Sequence, residues 1–329
     1  GSRYVGLCPF HSEKTPSFSV SQENNFFYCF GCHKGGDLFT FLMEIEHISF
    51  VEAAEMLAEK AGIELDVSGE QEAGGETAAL AELYERTAGM FRYFYTSTEE
   101  GKKARSYAEE RGISGETAEL FGLGYSPADR RWLYRFLRKK NYSAEFLSKS
   151  GLFSRRYPEI SLFSGRLVFP IRYSNGKVVA FGGRSLDGGE PKYINSPETA
   201  LYKKRSTLFG IHEGAREIRK SREVILVEGY FDAIAFFQAG IPRAVAPLGT
   251  SMTEEQARVL RRYADKVILI FDDDRAGQDA AVRAIEMCET AGLESEVAVP
   301  EQGKDPADIL TNEGSDSLHN MLKYTINSF

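Results

Sequence analysis

The sequence EVILVEGYFD at residues 223–232 decides the fold class of this chain. A short, uniformly apolar run at 224–227 ends in an acidic residue and leads into a helical pattern that begins at Tyr230. The same order of apolar run and helix returns twice within residues 244–299. Apolar strands that alternate with helices are typical of a parallel sheet covered on both faces. We therefore predict a parallel-sheet α/β subdomain over residues 222–311.

The residues before this subdomain predict a different organisation. Residues 68–76 contain no large apolar side chain and are typical of a flexible linker, and the Asn175-Gly176 pair between two β-type runs indicates a hairpin. The predicted fold is a multidomain α+β and α/β chain, with a small zinc ribbon and helices at 1–67, a linker at 68–79 and a mixed α+β basic subdomain at 80–221.

Composition excludes several classes of protein. The 329 residues are 42% hydrophobic and 27% charged, which is ordinary globular usage. No stretch approaches about 18 consecutive apolar residues, so we expect no transmembrane helix and no membrane partner, and the lack of a signal peptide predicts a cytoplasmic protein. The net charge is −8, but residues 155–205 alone carry a net charge of +6. A local basic surface can bind phosphates whatever the overall charge is.

Three of the four cysteines lie close together near the N-terminus. Cys8, His11, Cys29 and Cys32 follow the spacing C-x2-H-x17-C-x2-C. Two close pairs joined by a hairpin-sized insert suit tetrahedral zinc, and three thiolates with one imidazole describe a closed structural site. His33 is a competing imidazole, although its adjacency to Cys32 makes simultaneous ligation awkward. The alternative is four unrelated polar residues.

Acidic side chains follow three predicted strands of the α/β subdomain. Glu228 ends the first strand, Asp272–Asp274 directly follow the second, and Asp305 lies in the loop after the third. Because ligands bind beyond the carboxyl ends of the strands in open parallel sheets, we expect these carboxylates to share one edge. Oxygen-only ligands indicate Mg²⁺ or Mn²⁺. The alternative is a solvated acidic loop.

Two further groups of residues suggest contact with nucleic acid. Residues 155–205, which we call the basic stretch, contain the pair Gly182-Gly183. We interpret this pair as a place where phosphate or a base approaches the backbone. Aromatic rings are interleaved with lysines around the zinc motif; they suit stacking on unpaired bases, or they are the core of a small domain. These rings are Phe10, Phe18, Phe26, Phe27, Tyr28 and Phe30.

The motifs together resemble those of bacterial replicative DNA primases. The zinc quartet lies in GLCPFHSEKTPSF at 6–18 and FGCHKGGD at 30–37. The family's core motifs are matched by GRLVFPI at 165–171, AFGGR at 180–184 and PKYINSPET at 191–199. VEGYFD at 227–232 and FDDDRAG at 271–277 resemble the two signatures of the Toprim fold, which topoisomerases share.

This resemblance implies roles for individual residues. It implies that Glu228, Asp272 and Asp274 are catalytic, and that they hold magnesium together with Asp305. The residues that match family positions handling nucleic acid or nucleoside triphosphate are Arg166, Arg184, Lys192, Asn195 and Lys204. The sequence departs from the family where Asp-Gly-Asp is Asp272–Asp274 here, and where Asp-Pro-Asp is Asp305-Pro306-Ala307 with a carboxylate displaced to Asp308.

The resemblance implies a DNA-dependent RNA polymerase that makes short RNA primers on single-stranded DNA from ribonucleoside triphosphates. It implies one structural Zn²⁺, catalytic Mg²⁺ or Mn²⁺, a monomer, and a replicative helicase partner bound through a C-terminal domain absent here. Residues 312–329 would begin a truncated helical subdomain. The alternatives are a phage primase of a primase–helicase and a non-enzymatic, zinc-dependent single-strand binder. A topoisomerase fits less well, because nothing marks a nucleophilic tyrosine. Whether the zinc module serves its own core or a neighbour's is open.

Overall fold

The chain forms two compact units in the computed structural model, Gly1–Gln71 and Glu72–Phe329. The structure describes residues 3–22, 25–46, 48, 50–61, 71–249, 251–271, 275–300 and 304–327.

The N-terminal unit is a four-stranded antiparallel sheet followed by two helices. Its strands, in spatial order, are β1 (Arg3–Gly6), β2 (Phe18–Ser21), β3 (Phe26–Cys29) and β4 (Gly35–Gly36), and its helices are α1 (Leu38–Glu46) and α2 (Phe50–Ala61). Alternation along the strands turns Phe18 and Phe27 inward, where they pack with Cys8 and Cys29. This core is small, and a bound metal would add to its stability.

The second unit contains two sheets and the helices that cover them. Its helices are α3 (Gln71–Ser97), α4 (Lys102–Glu110), α5 (Gly115–Leu120), α6 (Trp132–Lys139), α7 (Ala144–Lys149), α8 (Ile211–Ser221), α9 (Tyr230–Gln238), α10 (Glu254–Arg261), α11 (Arg275–Ala291), α12 (Pro306–Glu313) and α13 (Ser315–Met321). Its strands are β5 (Gly124–Ser126), β6 (Arg166–Arg172), β7 (Val178–Ser185), β8 (Tyr193–Asn195), β9 (Glu223–Leu226), β10 (Ala244–Val245), β11 (Lys266–Leu269), β12 (Glu294–Val297) and β13 (Ile326–Asn327). A 3-10 turn covers Lys204–Ser206.

The first sheet is antiparallel, in the order β5-β6-β7-β8. The predicted hairpin joins β6 and β7 through a turn in which the Tyr173 N–H donates to the Lys177 carbonyl at 3.0 Å. Gly176 has φ +87° there, which glycine adopts without strain. Alternate residues of β6 face opposite cores: Val168 packs with α3, α6 and α7, whereas Phe169 packs with α9.

The second sheet has the order β10-β9-β11-β12-β13 and is parallel except for β13. The predicted α/β class is therefore confirmed. Within the alternating pattern at 244–299, the last helix is Arg275–Ala291 and the last strand is Glu294–Val297. The antiparallel strand β13 was not predicted.

Helix α9 lies between the two sheets. Seven of its nine residues are buried, and they share one core with Phe169 of the antiparallel sheet and Ile225 of the parallel sheet. A helix that is apolar on every side must be covered on every side. Its first residue, Tyr230, thereby sits against the antiparallel sheet, next to the end of β9.

The predicted linker at 68–79 is helical where the structure describes it, because α3 begins at Gln71. Glutamine, glutamate and alanine favour helices, and extending a helix that already exists needs no new nucleus, so Gly74 and Gly75 are tolerated. The absence of large apolar side chains in this segment indicates that it is exposed to solvent, and it does not prevent the segment from forming a helix.

None of the helices in the described part of the chain has the length and apolar character needed to cross a membrane.

Candidate functional site

Four metal-ligating side chains converge in the N-terminal unit. The ligand atoms of Cys8, His11, Cys29 and Cys32 all lie within 4.8 Å of one another. The Cys8 and Cys32 sulfurs are 3.8 Å apart, and His11 Nδ1 is 3.9 Å from Cys29 Sγ. Three thiols and one imidazole form the closed donor set of a structural zinc site. The structure thus brings the predicted quartet together.

His33 does not join this cluster. Its Nδ1 atom is 3.1 Å from the Tyr28 hydroxyl, and its backbone takes φ +60°. The cluster of ligand atoms includes His11 and does not include His33, so the structure favours His11 as the fourth ligand.

Sequence reasoning missed the group that supports the ligands, Glu13. One carboxylate oxygen accepts hydrogen bonds from the backbone N–H of Cys8 at 2.8 Å and of Ser17 at 3.1 Å. The other accepts from the Ser17 hydroxyl and lies 3.3 Å from His11 Nε2. A carboxylate on the far nitrogen of a ligating imidazole fixes the ring and its tautomer. The available signal was an acidic residue two positions after His11.

The thiols differ in acidity. Burial raises the pKa of the Cys8 thiol to about 11. Burial acts in the same direction on Cys29, but hydrogen bonds from the Ser17 hydroxyl and the Cys32 and Gly31 backbone outweigh it and lower the pKa of Cys29 to about 6. Since metals bind thiolates, the hydrogen bonds that Cys29 accepts suit its place in the donor set.

The structure divides the aromatic residues around the zinc motif into two groups. Phe10, Phe18 and Phe27 pack against one another and against Phe41, with ring centroids 5.4 to 6.1 Å apart. These rings are core. Phe26 and Phe30 are exposed and Tyr28 is half-buried, so Phe26 and Phe30 are the two rings with the most surface available for stacking.

A second candidate site is a cavity of about 450 Å³ in the second unit. It opens where the carboxyl end of β9 and the start of α12 face strand β8. The predicted site residues that line it are Arg184, Lys192, Asn195, Glu228 and Asp305. A carboxylate that follows strand β9, a carboxylate that begins helix α12 and cations from the basic stretch thus line one cavity.

Of the other four predicted site residues, two lie outside the described part of the chain, and two are described but do not line the cavity. Asp272 and Asp274 lie outside the described residues. Arg166 braces the strands instead, with Nη1 3.4 Å from the Lys192 carbonyl and 3.5 Å from the Gly183 carbonyl. Lys204 lies in the 3-10 turn, where its carbonyl accepts a hydrogen bond from Gln256 at 3.0 Å.

Arg111 lines the cavity and was not predicted. Its guanidinium lies 3.4 Å from Asp308 Oδ1 and 3.7 Å from Asp305 Oδ2, and it covers the Phe231 ring at 5.3 Å. It follows Glu109 and Glu110 at the end of α4, where the sequence resembles any charged helix surface. No sequence signal marked it, because its partners are almost 200 residues away.

Aromatic rings hold Arg184 at the cavity. Its guanidinium carbon is 4.7 Å from the Tyr193 ring and 5.7 Å from the Tyr107 ring. Stacking on rings orients the planar guanidinium for two-pronged contact with an anion. Burial also raises the pKa of Tyr193 to about 12, so that its hydroxyl stays protonated beside the site.

The Asp305-Pro306-Ala307 segment begins helix α12. Asp305 caps the helix by accepting a hydrogen bond from the Asp308 N–H at 2.6 Å. Ala307 is 1% exposed and belongs to the core, whereas Asp308 faces the cavity. The carboxylate displaced by one position therefore contacts Arg111 together with Asp305.

Gly182 and Gly183 are explained by side-chain packing. A Cβ atom at Gly182 would lie 2.4 Å from the Tyr230 hydroxyl oxygen, and one at Gly183 would lie 2.9 Å from the Phe163 ring. Our interpretation that they admit phosphate or a base is wrong on this geometry, because protein side chains occupy the space on both faces of β7.

Comparison with known proteins matches three family models along the chain. They are CHC2 zinc finger at 1–73, DNA primase catalytic core, N-terminal domain at 91–215, and Toprim-like at 225–310. The DNA primase of Borreliella burgdorferi is 44% identical over the whole of this chain. The chain spans 64% of the length of that relative and 54% of the length of others that it matches.

Solved structures similar to this chain are also primases. The Aquifex aeolicus primase, comprising zinc-binding and RNA polymerase domains, is 35% identical with a TM-score of 0.69; the match covers 99% of this chain and 79% of that one. A primase catalytic domain bound to single-stranded DNA is 30% identical with a TM-score of 0.71, over 77% of this chain and 81% of that one.

The fold and the two sites define a modular protein in which a zinc finger precedes a Toprim-containing catalytic core. The family follows from the matches over the full length of the chain. This chain belongs to the bacterial DNA primase family.

Proposed function

We propose that this chain is the catalytic portion of a primase, a DNA-dependent RNA polymerase that makes short RNA primers on single-stranded DNA. The observation that carries the proposal is the cavity that combines Arg184 and Lys192 with Glu228 and Asp305. Cations there suit the phosphates of a nucleotide, and the carboxylates suit divalent metal ions. The similar structure with bound single-stranded DNA supports a DNA template.

In this proposal Glu228, Asp272, Asp274 and Asp305 hold Mg²⁺ or Mn²⁺. Leu226 and Leu269 are paired in parallel, so Glu228 and Phe271 follow their strands by the same number of residues, and Asp272 is next in the chain. This register supports a shared site at the ends of β9 and β11. A bound divalent cation supplies charge neutralisation on the triphosphate and stabilises charge that develops during transfer.

The chain's own residues bind and orient the reactants. The reaction joins the 3′-hydroxyl of one nucleotide to the α-phosphorus of the next and releases pyrophosphate. Arg184, Lys192 and Asn195 line the cavity and would bind the triphosphate. Arg166 and Lys204 lie outside the cavity lining and would contact the template backbone.

The zinc ribbon would contribute to the template side. Its metal site is structural, because the four ligands leave no position for a substrate. The exposed rings of Phe26 and Phe30 provide faces on which unpaired bases stack. The helicase partner, the monomeric state and a cytoplasmic location at the replication fork belong to the same proposal.

Ribonucleotide incorporation tests the function directly. The 329-residue chain is incubated with labelled ribonucleoside triphosphates and poly-dT or random single-stranded DNA, with Mg²⁺, with Mn²⁺, or with EDTA. We expect short products that depend on template and divalent metal and that are degraded by alkali. The alkali step identifies RNA, and parallel reactions with deoxynucleotides test the choice of sugar.

Two results would overturn the proposal. Tight binding of single-stranded DNA without any incorporation, in either metal, would identify a non-enzymatic single-strand binder. Template-independent products would exclude a primase even though nucleotidyl transfer occurs.

A further inference from the structure

A row of three residues crosses the antiparallel sheet beneath Tyr230. Phe169 of β6 pairs with Gly182 of β7, which pairs with Asn195 of β8. The Tyr230 ring stacks on Phe169, with centroids 4.7 Å apart and planes at 12°. Its hydroxyl then passes over Gly182, where a Cβ atom would be 2.4 Å away. The row thus consists of a phenylalanine ring, a glycine that leaves space for the tyrosine hydroxyl, and an asparagine whose amide oxygen can accept a hydrogen bond.

The Tyr230 hydroxyl reaches the third residue of the row. It donates a hydrogen bond to Asn195 Oδ1 at 2.5 Å. Tyr230 is 7% exposed, and Phe209 meets its ring edge-to-face at 4.7 Å. Because stacking on one side and an edge contact on another hold the ring, the hydroxyl has one fixed position.

In the structure the Asn195 amide turns its Oδ1 atom toward this hydroxyl. With Oδ1 engaged by a donor, the other end of the amide is the NH₂ group, which can only donate. Asn195 Nδ2 lies beside Gly249, where a Cβ atom would be 3.0 Å away, and both residues line the cavity. Gly249 has φ +82°, and its missing side chain leaves the amide room.

We propose that Tyr230 is a positioning residue that fixes the Asn195 carboxamide so that its NH₂ group donates to an acceptor oxygen of the nucleoside triphosphate in the cavity. The inference rests on the proposed function and adds a residue of the cavity lining that acts through Asn195. It also links the strand that binds nucleotide to the helix that follows Glu228, since Tyr230 is the first residue of α9.

The test compares Tyr230→Phe with a matched control. The variant keeps the ring, which fills its place between Phe169 and Phe209, and loses only the donor. Tyr173→Phe serves as the control, because its hydroxyl donates at 2.7 Å to the Leu201 carbonyl and it does not line the cavity. Both variants of the 329-residue chain are assayed for primer synthesis over a range of triphosphate concentrations, with single-stranded DNA binding and thermal melting measured in parallel.

We expect Tyr230→Phe to raise KM for the triphosphates about three- to tenfold, the value of one hydrogen bond, with kcat and DNA binding within about twofold of wild type. Tyr173→Phe should leave both constants unchanged. In an Asn195→Ala background, Tyr230→Phe should add no further rise in KM, because the amide that it positions is gone.

An unchanged KM in Tyr230→Phe, in a wild-type protein that makes primers, would overturn the inference and leave the proposed function intact. The inference would also be overturned if Tyr230→Phe raised KM by the same factor in the Asn195→Ala background as in the wild type. Tyr230 would then act independently of Asn195. A wild-type protein that makes no primers, and binds no triphosphate by equilibrium dialysis with Mn²⁺, would overturn both.

Discussion

Glu13 and Glu228 are both carboxylates, and their surroundings give them different tasks. The hydrogen bond from the Ser17 hydroxyl is the main reason why the pKa of Glu13 is lowered, and the ionised group holds the His11 ring beside the other zinc ligands. Glu228 is exposed at a strand end and lines the nucleotide cavity. One carboxylate orients a ligand, and the other, in our proposal, is a ligand.

Glu13→Gln should weaken zinc binding about tenfold or more while the ribbon still folds with excess zinc. The amide preserves the shape but not the charge opposite His11 Nε2. Competition with a chromophoric chelator measures the affinity. Glu44→Gln is the matched control, because Glu44 pairs with Lys34 and is not one of the clustered metal ligands. Equal affinities in the two variants would contradict a supporting role for Glu13.

Glu228→Gln should abolish primer synthesis and leave single-stranded DNA binding intact. Removing one carboxylate charge relieves repulsion in the metal-free protein, so its thermal stability should be equal or slightly higher. Asp272→Asn should behave in the same way. Asp273→Gly, which restores the family motif, should keep activity. Primer yield and melting temperature with and without Mg²⁺ are the measurements, and near-normal synthesis by Glu228→Gln would show that the metal assignment is wrong.

At the scale of single elements, each site depends on how a strand or helix ends. Cys29 ends β3, Glu228 follows β9, and Asp305 caps α12. Strand and helix ends are where backbone geometry changes, so the side chains there can leave the regular packing and face a ligand. The sheet row under Tyr230 depends on the same precision within strands, because only glycine fits at position 182.

Cys29→Ser should unfold the zinc ribbon and spare the second unit. The ribbon has a small core and relies on its metal, whereas the second unit has cores of its own. Limited proteolysis should cleave within residues 3–36 and leave a resistant fragment from residue 72 onward. Cys288→Ser is the control: Cys288 is buried in the second unit, so this change should lower stability there without loss of zinc. An intact ribbon in Cys29→Ser would count against the site.

Gly182→Ala should raise KM for triphosphates at least as much as Tyr230→Phe does. The added methyl group would overlap the Tyr230 hydroxyl and displace it from Asn195. Gly89→Ala is the control, since nothing lies within 4 Å of the position its Cβ would take; we expect it to leave KM unchanged and to stabilise α3 slightly. Normal KM in Gly182→Ala would mean that the row tolerates a larger residue.

For the whole molecule, charge distribution matters more than net charge. A chain with a net charge of −8 repels DNA on average, so template binding must come from local basic surfaces and must weaken with salt. Several acidic groups are also neutralised within the fold. Arg222 is the main reason why the pKa of Asp265 falls to about 2, with Arg261 adding to it.

Lys204→Ala should weaken binding of single-stranded DNA and reduce the salt slope of log K by about 0.7 for the lost phosphate contact. Arg184→Ala and Lys192→Ala, which line the cavity, should affect triphosphate KM more than DNA affinity. Lys220→Ala is the control, because this exposed lysine lies on α8 beside Glu217. Anisotropy titrations at several salt concentrations supply the slopes, and a slope for Lys204→Ala equal to that of the wild type would contradict a phosphate contact by Lys204.

Local patterns in the sequence were enough to predict the parallel sheet and the zinc quartet. Of the acidic residues predicted to share one edge, Glu228 and Asp305 line one cavity, and Asp272–Asp274 lie outside the described residues. These predictions use patterns that extend over only a few positions, namely strand and helix periodicity, the spacing of two ligand pairs, and turn residues. In a parallel sheet, the carboxyl ends of the strands also lie at one edge. The same local reading failed at residues 71–79, where helix extension from the following segment prevails over a polar, glycine-containing composition.

The tertiary structure alone decided which side chains meet across long distances. Arg111 reaches Asp308, and Tyr230 of α9 reaches Asn195 of β8, because two sheets pack on one buried helix. It also assigned Phe27 to the core and Phe26 to the surface, and it gave Gly182 to a tyrosine ring instead of a phosphate. Such contacts depend on how helices and strands pack against one another. The residue pattern within one helix or strand does not specify which other element it will contact.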